Sequence, residues 1–308
     1  MIDYSTKIKL IENAINILEN NNNFCELCPR LCRVDRRTQK GYCGLDLSLK
    51  IFCINLHFGE EPVISGKSGS GTVFFSGCNL GCVYCQNNTF SHNGHGKNYS
   101  VEELTENLLK LQKRGAKNIN FVTATPQLYG ALKALKAAYE QGLKIPLVYN
   151  SGGYERVEIL ELLNGIVDIY LPDMKYSLSD LAKKFSEADD YVEKNQTAIA
   201  EMQRQVGSVL KIDEQGYVQS GIIIRHLILP SYMENSIEIL KYIKINYGKN
   251  ITISLMNQYF PTEKTKNFKD IGRRLTFDEY CQILEYFDEQ EFEMAFVQEW
   301  SEDYDETN

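Results

Sequence analysis

The chain is 308 residues long, 43% hydrophobic and 24% charged, which is ordinary for a globular protein with room for a substantial core in one large domain or two. A formal net charge of −8 argues against a chain-wide electrostatic grip on nucleic acid or anionic lipid, so neither is expected as a partner. No apolar run approaches the roughly 20 residues that span a bilayer.

The first segment, IDYSTKIKLIENAINILEN, spaces Ile8, Ile11, Ile15 and Leu18 along one face. That is the pattern of an amphipathic helix rather than a secretory leader, and the protein is expected to be soluble and cytoplasmic. A cysteine-rich stretch of low apolar content follows. Residues 1–60 are therefore set apart as an N-terminal helix and metal-binding lobe, and residues 61–308 as a second domain. From about residue 70, short apolar runs alternate with amphipathic segments: TVFFSG (72–77), NINFVT (118–123), IPLVYN (145–150), IVDIYL (166–171), GIIIRHL (221–227) and NITISLM (250–256). Consecutive apolar positions rich in β-branched and aromatic residues predict strands buried on both faces of a parallel sheet. Between them, SVEELTENLLKLQKRG opens on the capping box Ser100/Glu103 and stops at Gly115, and TFDEYCQILEYF opens on Thr276/Glu279. An insertion at 177–220 reads mainly as helix, and the final SEDYDETN is expected to fray. Six strands alternating with helices predict an α/β architecture, closed or partly closed as a barrel, with its chemistry at the carboxyl ends of the strands.

GCNLGCVYCQ, at 77–86, follows the first of these strands. Cys78, Cys82 and Cys85 lie too close together for easy pairwise bridging. In a reducing compartment such groups bind metal or catalyse. A closed zinc site needs four ligands, and no fourth cysteine or histidine follows at standard spacing, although His92 and His95 are near in sequence. Three thiolates on a cubane iron–sulfur cluster leave one iron open to a small molecule, and soft sulfur suits such clusters. A second group, Cys25, Cys28, Cys32 and Cys43, has four ligands and closes a site by itself. Zinc, mononuclear iron, an auxiliary [4Fe-4S] cluster and metal-free thiols all remain open there. Arg30, Arg33, Arg36, Arg37 and Lys40 surround it, to offset thiolate charge, to dock an acidic partner, or simply as a solvated basic face. Cys53 is unassigned, and Cys281 reads as a buried structural cysteine on the last helix.

CNLGCVYC has the CxxxCxΦC form, with Tyr84 as the aromatic, and resembles the radical S-adenosylmethionine enzymes. With HFGEEPVISGKSGSGTVFFSG, VYNSGGYE, DIYLPDMKY, EMQRQVG, IRHLILP and SLMNQY, nearly the whole chain is similar to the branch related to pyruvate formate-lyase activating enzyme. The resemblance implies a partial (β/α)6 barrel of the TIM type. It also implies a [4Fe-4S] cluster on Cys78, Cys82 and Cys85, whose open iron chelates the amino and carboxylate groups of S-adenosylmethionine. An electron donor such as flavodoxin or ferredoxin would reduce the cluster. Cleavage of the sulfonium would then give a 5′-deoxyadenosyl radical that abstracts hydrogen from a protein, a peptide or a small molecule.

The chain departs from the activases after its second strand, where a GGE-like motif is replaced by TATPQ (123–127). Thr123 and Thr125 are expected to offer carbonyls or hydroxyls to the methionyl amine. A plain helix entry, with Thr125 as N-cap and Pro126 at N1, fits the same residues. Asn150 and Ser151, before Gly153, can hydrogen-bond a ribose or carboxylate, or make a turn. Asp173 and Lys175 resemble the activase DxK element. Arg225 is expected to bind the methionyl carboxylate through its planar fork. His226 is expected to line the cofactor or substrate pocket, a satisfied core histidine being the usual alternative. Tyr84 would pack beside the adenine, and Met256, Asn257 and Gln258 also end a strand. Two enzymatic readings follow: an activase that installs a glycyl radical on a large partner, or hydrogen abstraction from a peptide or small molecule. The contrasting class is a non-catalytic metal-binding regulator, against which the missing fourth ligand near Cys85 argues.

Overall fold

The computed structural model of the chain describes residues 3–300, and the expectation for SEDYDETN lies outside them. In chain order the elements are α1 (Tyr4–Leu18), β1 (Leu49–His57), α2 (Pro62–Ser65), β2 (Ser70–Phe75), α3 (Asn88–Ser91), β3 (Lys97–Tyr99), α4 (Val101–Lys113), β4 (Ile119–Val122), α5 (Leu128–Glu140), β5 (Leu147–Ser151), α6 (Val157–Glu161) and β6 (Ile169–Pro172). Then come α7 (Ser179–Ser186), α8 (Tyr191–Val206), β7 (Lys211–Ile212), β8 (Val218–Leu227), α9 (Met233–Tyr247), β9 (Thr252–Met256), α10 (Phe277–Glu289) and β10 (Ala295–Val297). They group into two compact units. Unit 1 holds the chain up to Leu80, Asn87–Pro172 and Lys194–Ile222; unit 2 holds Gly81–Gln86, Asp173–Glu193 and the chain from Ile223 onward.

In unit 1, β2, β4, β5, β6 and the first half of β8 run parallel in that order. Val73 lies beside Phe121, Phe121 beside Tyr149 and Tyr149 beside Tyr170, and all four are buried. These are the consecutive apolar runs of the sequence, and removing both faces from water is what drives their pairing. α1 packs on α5 and α5 on α4. An ion pair of buried Lys7 with part-buried Asp168, at 2.5 Å, fastens α1. Truncating Asp168 would strand the buried Lys7 charge.

β1 is the departure from expectation. It lies inside residues 1–60 yet pairs antiparallel with β2, from Ile51 beside Phe75 to His57 beside Ser70, and β3 pairs with it in turn. Residues 49–57 are therefore sheet, and unit 1 has no break at residue 60. Its partly exposed side chains kept the sequence from showing the continuous apolar run of a central strand. β3, β7 and β10 are too short to leave a sequence pattern.

In unit 2 the second half of β8, β9 and β10 form a parallel ladder, with Arg225 beside Ser254 and Ala295 beside Ile253. α9 and α10 pack on one another. Both expected capping boxes are present, at Ser100/Glu103 on α4 and Thr276/Glu279 on α10. Among the described residues no helix is long and apolar enough to cross a membrane.

Candidate functional site

The N-terminal cysteines sit on a knuckle of main chain. Cys25 donates N–H to the Val34 carbonyl at 3.0 Å, and Arg33 returns its N–H to the Cys25 carbonyl at 2.9 Å. To close it, Leu31 and Arg33 adopt left-handed φ of 43° and 56°, which costs roughly 1–2 kcal/mol each for residues with a Cβ. The sulfurs collect main-chain donors: Tyr42 N–H to Cys32 Sγ at 3.3 Å, Arg30 N–H to Cys28 and Leu45 N–H to Cys43. Burial pushes the Cys28 and Cys43 thiols up; those N–H groups oppose it, as does the Arg36 guanidinium beside Cys43. The thiols also feel one another's charge, Cys25 and Cys43 acting on Cys28, and Cys25 and Cys32 on Cys43. Cys32 Sγ and Cys43 Sγ flank Gly41 so closely that a Cβ there would lie 3.4 and 3.7 Å from them.

The loop after β2 starts beside this lobe. Gly77 has φ of 78°, and a Cβ on it would come within 2.7 Å of the Cys43 carbonyl, so glycine is required. Cys78 Sγ accepts the Leu80 N–H at 3.4 Å. Asn79 is held at both ends, its Nδ2 donating to the Tyr154 carbonyl at 2.6 Å and its carbonyl accepting from Arg30. Of the two histidines near this loop, His92 has Nε2 3.0 Å from the Leu80 carbonyl, and the His95 carbonyl accepts the Ser76 hydroxyl at 2.6 Å.

At the end of β4, Thr123 is left-handed, with φ of 59°, and donates its N–H to the Asn150 carbonyl at 2.9 Å. A β-branched residue held there is strained, and such strain gathers at ligand sites. Thr125 does not cap α5. The 3-10 turn Thr125–Gln127 has no side-chain cap; Thr125 Oγ1 instead donates to Glu155 Oε1 and lies beside Tyr149 Oη, both at 2.8 Å. The buried carboxylate outcompetes the local main chain. Glu155 is 2% exposed, and burial pushes its pKa up to about 8 against hydrogen bonds from Thr125 and Ser151. Asn150 Nδ2 donates to Glu60 Oε1 at 3.2 Å, which also takes Asn120 Nδ2 at 2.9 Å. Ser151 Oγ accepts the Gly153 N–H at 3.2 Å.

In unit 2, Gly81 and Val83 donate their N–H groups to the carbonyls of Ser186 and Phe185, at 3.1 and 2.8 Å. Val83 accepts the Thr262 hydroxyl at 2.6 Å. Buried Cys82 ends a chain of hydroxyls: Tyr84 Oη to Tyr176 Oη and Tyr176 Oη to Ser186 Oγ, each 2.6 Å, then Ser186 Oγ–H to Cys82 Sγ at 2.9 Å. The Tyr84 ring packs on Tyr176 and Tyr259. Asp173, Lys175 and Arg225 are brought together: Lys175 Nζ lies 2.5 Å from Asp173 Oδ2, and Arg225 Nε lies 3.6 Å from Asp173 Oδ1. Burial disfavours the Lys175 ammonium, but Asp173 with the thiols of Cys82 and Cys85 outweighs it and the pKa is raised. His226 is fully buried. Nδ1 meets the Met174 carbonyl and Nε2 the Ser236 hydroxyl, both at 2.8 Å, and burial lowers its pKa to about 4. Both nitrogens of this neutral imidazole are occupied within the core. Gln258 accepts Gln86 Nε2 on its carbonyl at 2.7 Å. Cys281 is half-buried rather than buried.

All nine cysteines are unbridged. Among the described residues no three His, Cys, Asp or Glu side chains gather as they would about a single metal ion. A cluster that gives each thiolate its own iron needs wider spacing. A cleft of about 410 Å³ on unit 1, lined by Ile54, Asn107, Lys110, Leu111, Lys113 and Arg114, holds none of the residues expected from the sequence. Four residues that the sequence did not single out for these contacts stand out here: Arg30, Arg36, Glu155 and Ser186. Glu155 had one available signal, an acidic residue two positions after the NSGG turn.

A family model described as the Radical SAM superfamily matches residues 72–210. Over 300 residues the chain is 32% identical to Uncharacterized protein MJ0674 of Methanocaldococcus jannaschii, a match that takes in 94% of this chain and 82% of the relative. The crystal structure of methylornithine synthase (PylB) is similar at TM-score 0.50 and 12% identity, over 96% of this chain and 72% of that one. A likeness so remote in sequence shows the fold alone: mixed α/β with mostly parallel strands, of the partial-barrel class.

Proposed function

Since the chain belongs to the radical SAM superfamily, we propose that Cys78, Cys82 and Cys85 hold a [4Fe-4S] cluster and that the protein is an S-adenosylmethionine-cleaving enzyme. The observation that carries this reading is the three-thiol loop at the carboxyl end of β2. Its donor set fits such a cluster. The thiols are soft and unbridged, and two of them accept hydrogen bonds, from the Leu80 N–H and the Ser186 hydroxyl, the latter opposing the burial that pushes the Cys82 thiol up. When bound, cluster and cofactor together supply one-electron cleavage of the sulfonium and a 5′-deoxyadenosyl radical able to take a hydrogen atom.

The chain's own residues have distinct tasks in this reading. Arg225 and Lys175, gathered on Asp173, present a cationic face to the methionyl carboxylate. The strained turn at Thr123 and Thr125 would offer main-chain carbonyls to the methionyl amine. Asn150, Ser151 and Tyr84 meet the nucleoside, while His226 braces the strand that carries Arg225. Cys25, Cys28, Cys32 and Cys43 hold a second metal centre, a cluster or a zinc or iron ion. A reductant such as flavodoxin or ferredoxin delivers the electron, and the hydrogen donor is a protein, a peptide or a small molecule, a glycyl-radical enzyme among them.

The test is anaerobic reconstitution with iron and sulfide, reduction, addition of S-adenosylmethionine, and quantification of 5′-deoxyadenosine beside Cys82→Ala. Production by the wild type that the variant loses is expected. A fully loaded, reduced wild type that neither cleaves the cofactor nor changes its spectrum on adding it would overturn the reading.

A further inference from the structure

Two arginines of the N-terminal lobe reach out of it and end on main-chain carbonyls. Arg30, between Cys28 and Cys32, donates Nε–H to the carbonyl of Asn79 at 2.8 Å, one residue after Cys78. Its guanidinium carbon stands 3.9 Å from the ring centre of Tyr42 and 5.3 Å from that of Tyr154. Those faces fix the charge and the direction of its fork. Arg36 is 3% exposed. It donates Nη1–H to the carbonyl of Pro126 and Nη2–H to that of Asp46, the latter at 2.5 Å.

Pro126 is the middle of the Thr125–Gln127 turn, and the same turn is pinned from its other end. Gln127 accepts the Lys50 N–H on Oε1 at 2.5 Å and donates Nε2–H to the carbonyls of Lys50 and Ser76, each at 2.8 Å. Gly77 adds a third junction, packed on the Cys43 carbonyl. Burying a guanidinium is costly. A main-chain carbonyl returns only part of that cost. The two placements, Arg36 buried and Arg30 partly so, both end where the sequence puts cluster and cofactor residues and go beyond what the lobe needs to fold.

We propose that Arg30 and Arg36 are positioning residues through which the cysteine lobe holds the catalytic loops, Arg30 fixing the Cys78 stretch by the Asn79 carbonyl and Arg36 fixing the Thr125–Gln127 turn by the Pro126 carbonyl. This rests on the reading in which Cys78 binds the cluster and that turn meets the cofactor. The lobe is then a brace for the radical site, and each arm has its own target.

Arg30→Met and Arg36→Met keep most of the side-chain volume and remove the donors, while Arg30→Lys and Arg36→Lys retain a single donor. Hydrogen–deuterium exchange of the full chain, made without cofactor, reads residues 78–80 and 123–128 separately. Arg30→Met is expected to speed exchange in the first stretch by about tenfold or more and Arg36→Met in the second, each sparing the other, with the Lys variants between. After reconstitution, Arg30→Met should lose iron to a chelator faster at unchanged S-adenosylmethionine affinity. Arg36→Met should bind S-adenosylmethionine about tenfold more weakly at unchanged iron retention. Uniform acceleration along the chain, or none in either loop, overturns the proposal. If the Met variants do not fold, the Lys pair carries the same comparison. A wild type that fails to bind S-adenosylmethionine would sink the functional reading, and the exchange rates would still decide the arginines.

Discussion

Ser186 places its hydroxyl 2.9 Å from Cys82 Sγ and takes its orientation from Tyr176, which Tyr84 fixes in turn. A donor on a ligating sulfur withdraws electron density and stabilises the reduced cluster. Ser186→Ala should therefore lower the reduction potential of the cluster proposed on Cys82. Tyr176→Phe, which leaves the serine but frees its hydroxyl to turn, should lower it less. A redox titration followed by electron paramagnetic resonance checks both, and equal potentials in all three proteins would mean that the contact is packing only. The cysteines themselves were legible because their spacing is local. Ser186 was not: its partner lies on another segment, and a serine at the end of an amphipathic helix carries no distinguishing mark. Arg30 and Arg36 were visible beside the cysteines, but the partners they grip are main-chain carbonyls, which carry no mark in the sequence.

Helix α10 shows how much an element's first turn can be read in advance. Thr276 and Glu279 form the reciprocal cap that their spacing predicts. Glu279 is also bonded by Arg273 Nη2 at 2.7 Å and by the Ser231 N–H at 2.8 Å. The Arg273 hydrogen bond is the main reason that its pKa falls from 4.5 to about 2, burial acting the other way. A depressed carboxylate stabilises the fold above its unfolded pKa and loses that contribution as the pH falls through the folded one. Glu279→Gln should therefore cost about 1–2 kcal/mol near pH 6, discounted for the exposure of Arg273, with the gap to wild type closing between pH 4.5 and 2. Urea titrations at stepped pH check this, and a gap that stays constant with pH would refute it. The main strands were readable for the same reason as the caps: their burial writes a continuous apolar run. β1 was not, since its side chains are partly exposed and polar sequence surrounds it. The alternative of Thr125 as an N-cap fails because the carboxyl group that claims its hydroxyl lies outside any local window.

At the scale of the molecule, the N-terminal lobe belongs to unit 1, joined to its sheet through β1. Metal at its four thiols should therefore register in the stability of the chain and not only in its own loop. Chelation at that site is expected to lower the unfolding midpoint by about 5 °C or more, and Cys28→Ser should abolish the response. Calorimetry with matched metal analysis decides it: a midpoint indifferent to metal in the wild type would leave the four cysteines without a structural ion.

Neither unit is continuous in sequence, and this bears on how the protein is made. The segment Gly81–Gln86 takes its surroundings from residues synthesised later, Phe185 and Ser186 on α7 and Thr262 beyond β9. A chain leaves the ribosome N-terminus first, so Cys82 and Cys85 emerge before anything exists to cover them. Cys82, buried in the finished protein, passes through synthesis as an open thiol beside a half-built loop. Iron offered at that stage would meet a site lacking its walls, and oxygen would meet no barrier.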